Sequence, residues 1–187
     1  KQIFEARQIS YQILNPFTER YRNSYSETEK QVFKEKHTGG DDFVLFNFMG
    51  IKEEEIQVTM LKAFTQFKQW NKTGMKLLIG CTSIQEDSFR QLLQSYKLRS
   101  DVILLMLKDE ATWDVAIATS FLLADFSNGN KLSASMLRAL KHGVPLIVKE
   151  TNYFQSLMKD AVLYANADVA GITAKLTLVY KDEQGNA

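Results

Sequence analysis

A chain of 187 residues suits one domain and is long enough to bury a core of its own. A formal net charge of +1, with 45% hydrophobic and 24% charged residues, is ordinary for a soluble globular protein and argues against a nucleic-acid partner, which would demand a basic excess. No apolar run approaches the roughly 20 residues of a membrane-spanning helix.

Cys81 is the single cysteine, so no intrachain disulfide can form and a reducing, cytoplasmic setting is expected. Two histidines and that cysteine, far apart in sequence, make no familiar zinc pattern, and no metal is expected. The chain starts at Lys1 without a signal-peptide pattern and stops in polar residues 181–187. Both ends read as cut points from a longer protein.

Residues 1–41 are polar and read as a linker segment containing a short helix. Residues 9–14 suit a short extended piece before Asn15-Pro16. Ser26-Glu27-Thr28-Glu29 is a capping box, and the helix it starts should end near His37, before Thr38-Gly39-Gly40. From Asp42 the pattern alternates. Phe43-Val44-Leu45-Phe46 reads as a buried strand, and a helix follows with Ile56, Met60, Ala63, Phe64 and Phe67 on one face. Lys76-Leu77-Leu78-Ile79-Gly80 is a second strand, and Phe89, Leu92, Leu93 and Tyr96 mark a second helix. Residues 102–107 form a third strand, residues 112–118 a helix, and Phe121-Leu122-Leu123 a fourth strand. After the turn Ser127-Asn128-Gly129-Asn130 come a helix over residues 132–140, a stop at Gly143 and a fifth strand over 145–148. Helix 152–158, strand 161–164 and helix 169–179 complete the series.

Short strands that are apolar at every position, each followed by a helix, indicate a parallel sheet covered on both faces. The expected fold class is therefore α/β, a doubly wound, mainly parallel six-stranded sheet over residues 42–182, with residues 183–187 as a polar tail. Ligands of such sheets bind beyond the C-terminal ends of the strands.

Residues 124–145 are the best candidate site. A helix beginning at Leu132 would aim the amides of Leu132, Ser133 and Ala134 at the cleft, where they and the helix dipole suit a phosphate. The alternative is that Asn128-Gly129-Asn130 only turns the chain and the amides meet water. The loop 49–55 offers Lys52 as a phosphate cation, but Glu53, Glu54 and Glu55 follow and more simply favour the start of the next helix. Lys141 and His142 complement a helix C-terminus. Cys81 reads as a small buried hydrophobe, Trp70 and Trp113 as packing residues, and Asp109-Glu110 as solvated loop acids. The sequence contains no Gly-rich dinucleotide fingerprint and no Walker A pattern.

Several segments together resemble one family. They are Met60-Leu61-Lys62-Ala63-Phe64, Gly74-Met75-Lys76-Leu77-Leu78-Ile79, Leu98-Arg99-Ser100-Asp101-Val102 and Leu137-Arg138-Ala139-Leu140-Lys141-His142-Gly143-Val144-Pro145-Leu146-Ile147. Lys159-Asp160-Ala161-Val162-Leu163-Tyr164 and the linker-like residues 26–40 join them. In this order they resemble the C-terminal domain of the retaining glycosyltransferase group 1 family, over about residues 26–182. The resemblance implies a GT-B protein whose second, N-terminal domain binds the acceptor. It implies a nucleotide-sugar donor such as a UDP- or GDP-sugar, no metal and no other cofactor, and peripheral membrane association of the full protein is compatible with it. Together with the loop cation Lys52, the candidate donor contacts are Asn130, Lys131, Leu132, Ser133 and Arg138. The family's paired acids fall on Asn130 and Arg138, its two glycines on Lys131 and Ser133, and its basic pair near Glu54-Glu55. No catalytic residue is assigned, and the chain alone is expected to be inactive. The alternative expectation is a catalytically silent domain kept for partner binding or scaffolding. A flavodoxin-like or regulator domain is disfavoured, because neither an acidic phosphoacceptor cluster nor a flavin-type loop is evident.

Overall fold

The computed structural model describes residues 24–47, 54–81, 83–106, 109–127 and 131–185. Helix α1 (Glu27–Thr38) opens with the expected capping box: the Ser26 hydroxyl accepts from the Glu29 amide at 3.3 Å and the Glu29 carboxylate accepts from the Ser26 amide at 2.9 Å. It ends at Gly39, whose φ of 69° is the left-handed cap that glycine adopts without strain.

The remaining elements alternate. Strand β1 (Phe43–Asn47) leads to α2 (Glu54–Asn71), β2 (Lys76–Cys81) to α3 (Ser83–Gln94), and β3 (Val102–Met106) to α4 (Glu110–Thr119). Strand β4 (Leu122–Asp125) leads to α5 (Ala134–His142), β5 (Leu146–Lys149) to α6 (Asn152–Met158), and β6 (Leu163–Ala165) to α7 (Val169–Gly185). The six strands form one sheet in the order β3-β2-β1-β4-β5-β6, with every neighbouring pair parallel.

Alternation of side chains along each strand sorts the core into two layers. Val44 and Phe46 of β1 face a cluster that includes Met60, Phe64 and Phe67 of α2, Phe89 of α3 and Ile172 and Leu176 of α7. Phe43 and Leu45 face the other cluster, with Phe33 of α1, Trp113 and Ile117 of α4, Met136 of α5 and Phe154 of α6. Helices therefore cover both faces, and a strand buried on both sides must be apolar throughout.

Several boundaries differ from the sequence expectation: strands β3 to β6 shift by one or two residues, and four helices change an end. Helix α3 ends at Gln94, before Tyr96, whose hydroxyl instead reaches the Leu61 carbonyl at 2.8 Å. Helix α4 starts at Glu110 because Asp109 caps it, accepting from the Thr112 amide at 2.6 Å. Those hydrogen bonds from Thr112 hold the Asp109 carboxyl below its ordinary value. Helix α5 starts at Ala134, two residues late, because Ser133 is its N-cap. Helix α7 continues to Gly185, so most of the supposed polar tail is its last turn. The extended piece expected at residues 9–14 lies outside the described residues.

Candidate functional site

Chain direction across the sheet reverses between β1 and β4. From β1 the chain moves outward through β2 to β3; from β4 it moves the other way to β5 and β6. The helix after β1 covers one face and the helix after β4 covers the other. The chain therefore departs to opposite faces from two paired strand ends, which marks the crevice that is the usual ligand position on an open α/β sheet.

Asn47 and Asp125 are register partners at those strand ends. The Asn47 side-chain amide donates to Asp125 Oδ2 at 2.8 Å. The same oxygen accepts the Ser133 hydroxyl at 2.6 Å, and Oδ1 accepts the Ser127 amide at 3.0 Å. Asp125 has no exposed surface, and Asn47 is 2% exposed. A carboxylate removed from water needs such donors to be tolerated. Ser133 in turn accepts the Met136 amide at 3.0 Å as the N-cap of α5. One carboxylate thus ties β1, β4, the loop after β4 and the start of α5 together.

A second support comes from α4. The Trp113 indole donates to Ser135 Oγ at 2.9 Å, which fixes the first turn of α5 from the side. The indole lies across Gly80 of β2, where a Cβ would stand 2.4 Å from the ring, so only glycine admits it.

The residues expected to form the site are distributed unevenly over this frame. Ser133 is at the crevice as the cap of α5. Leu132 is half-buried against the core layer of α4 and α5. Lys131 is exposed beside it. Lys52 and Asn130 lie outside the described residues. Arg138 is buried on α5, with Nη2 3.5 Å from the exposed Glu110 carboxylate and Nε 3.9 Å from Asp114. Because α5 starts late, its amides that no described group satisfies are those of Ala134 and Ser135, in place of Leu132 and Ser133.

His142 does more than complement a helix end. Its side chain is buried, and its Nε2 lies 3.0 Å from Asp114 Oδ1, while the Tyr25 hydroxyl donates to Asp114 Oδ2 at 2.9 Å. Asp114 was not legible from its position inside a helix. Asp125 and Asn47 left a faint signal: each is a polar residue closing a wholly apolar strand, and Asp125 precedes a Ser-Asn turn. Trp70 is 61% exposed, whereas Trp113 and Cys81 are core residues. No group of three metal-binding side chains occurs among the described residues.

No protein-family profile and no curated protein matches the sequence. Solved structures do. Anabaena Alr3699/HepE in complex with UDP-glucose superposes with a TM-score of 0.71 at 13% identity, over 86% of this chain and 45% of that one. WaaG, a glycosyltransferase involved in lipopolysaccharide biosynthesis, gives 0.63 at 13% identity, over 84% and 43%. The Methanocaldococcus jannaschii UDP-GlcNAc 2-epimerase in complex with UDP-GlcNAc and UDP gives 0.59 at 10% identity, over 82% and 42%. The chain spans less than half the length of each. Its all-parallel sheet of six strands and the superpositions give it the Rossmann-like fold of one half of a GT-B glycosyltransferase.

Proposed function

We propose that this chain is the nucleotide-sugar-binding half of a retaining glycosyltransferase, with a modified donor site. The observation that carries the reading is the coincidence of the β1/β4 crevice with the N-terminus of α5, in a fold whose neighbours were crystallised with UDP and UDP-sugars. Two amides with no described partner and the positive end of a helix dipole are suited to a diphosphate. Lys52, Asn130, Lys131, Leu132 and Ser133 are the proposed donor contacts from the flanking loops. The sugar would pass to an acceptor glycan or lipid held by a second domain, in the cytoplasm and without a metal.

Arg138 is the departure that matters most. Ribose hydroxyls are met well by a carboxylate acceptor, and a guanidinium only donates. Here that guanidinium is engaged by Glu110 and Asp114 of α4. This pairing favours a second reading, a silent domain of the same fold used for partner binding.

Calorimetric titration with UDP, GDP and their sugars separates the two. The donor-binding reading expects micromolar association, weakened by Lys131→Ala. Association no tighter than millimolar would leave the silent reading standing.

A further inference from the structure

The negative charge at the start of α5 is already present within the protein. Asp125 Oδ2 accepts the hydroxyl of Ser133 at 2.6 Å, and that hydroxyl caps the helix through the Met136 amide at 3.0 Å. The other donors to Asp125 are the Asn47 side-chain amide and the Ser127 backbone amide, both uncharged. Among the described residues no cation pairs with Asp125. The positive end of the α5 dipole lies beside it, across the Ser133 hydroxyl.

We propose that Asp125 is a specificity-determining residue of the β1/β4 crevice, whose buried carboxylate, hydrogen-bonded to the Ser133 cap, places a negative charge beside the α5 N-terminus and selects against a phosphate group there. This deepens the nucleotide-sugar reading by naming what lowers affinity for the diphosphate. A phosphate bound to the Ala134 and Ser135 amides has the Asp125 carboxylate as a neighbour across the Ser133 hydroxyl. Like charges a few ångströms apart in a partly buried site repel enough to change affinity by about tenfold or more. Asp125→Asn removes the charge while keeping the shape: an Asn carbonyl still accepts the Ser127 amide, Ser133 can accept from the new amide, and Asn47 turns its own carbonyl toward that amide.

The test uses the full chain, wild type and Asp125→Asn, with circular dichroism to verify folding. UDP, uridine and inorganic phosphate are titrated by NMR, with the Ala134 and Ser135 amides as reporters. The expected result is at least about tenfold tighter phosphate and UDP binding by Asp125→Asn, with uridine unchanged. Equal or weaker phosphate binding by a folded variant overturns the proposal. So does a phosphate response at those amides in the wild type at low millimolar concentration, which is decisive even if the variant does not fold. Phosphate binding that is gained without UDP binding supports the role of Asp125 and counts against the nucleotide-sugar reading, so the two fail separately.

Discussion

Asp101 shows how one carboxylate can hold three elements. It sits in the single turn before β3 and accepts Lys68 Nζ of α2 at 2.7 Å and Lys76 Nζ of β2 at 2.8 Å. Burial pushes its pKa up, but the hydrogen bonds and charges of the two lysines outweigh burial and hold it below the ordinary value of 3.8. The hydrogen bond to Asp101 likewise raises the pKa of Lys76. A carboxyl with a depressed folded-state pKa stabilises the protein above its unfolded value, and that contribution is lost as pH falls through the folded value. The raised Lys76 behaves oppositely: its contribution is lost as pH rises through its folded value. At pH 7, Asp101→Asn should cost roughly 1.5–3 kcal/mol, the worth of a hydrogen bond between charged groups. The gap from wild type should narrow as pH drops below 3.8 and close as it falls through the lower folded value, where the wild-type carboxyl also becomes neutral. Urea midpoints of both proteins at neutral and acid pH measure this, and a gap independent of pH would contradict the ion-pair explanation.

The pairing of α4 with α5 rests on a polar seam as well as on apolar contact. Asp114 is buried between Arg138 and His142 and also accepts the Tyr25 hydroxyl, so the residues just before α1 are fastened to the same point. Removing one member of a buried charged set strands the others, which typically costs 3–5 kcal/mol. Asp114→Ala should therefore destabilise by about that amount in urea denaturation. Glu110→Ala should stay within about 1 kcal/mol, because its side chain is 78% exposed although it faces the same Arg138. Comparable losses for the two variants would mean that packing, and not the buried charges, holds the helices. This seam also marks the limit of what could be read from sequence. Strands were legible because runs such as Leu77-Leu78-Ile79 are apolar at every position, and α1 because its capping box is local. The start of α5 was misplaced by two residues although its Ser133 cap is local; what the sequence hides is that Asp125, eight residues earlier, accepts the hydroxyl of that cap. His142 looked like an ordinary helix-end residue because its partner, Asp114, lies on another helix. Lys52 and Asn130, also expected at the site, fall outside the described residues.

At the scale of the molecule, alternate residues of the same strands serve the two core layers. Phe43 and Leu45 belong to one cluster, Val44 and Phe46 to the other, and Leu77 and Leu78 divide in the same way. Neither layer can lose its packing without exposing the shared sheet, so the two should unfold as one cooperative unit, as single domains of this size usually do. Trp113 makes this measurable, because it is buried in the layer of α4 and α5, while Trp70 is largely exposed on α2. In a Trp70→Phe variant the fluorescence reports that one layer alone, whereas far-UV circular dichroism reports the helices of both. The two urea transitions should coincide. An earlier fluorescence transition would show that the α4/α5 layer, which carries the start of α5 and the crevice-side Ser133, opens separately. The crevice would then be formed by a mobile layer on a stable sheet, and ligand affinity would depend on the fraction closed as well as on the charge at Asp125.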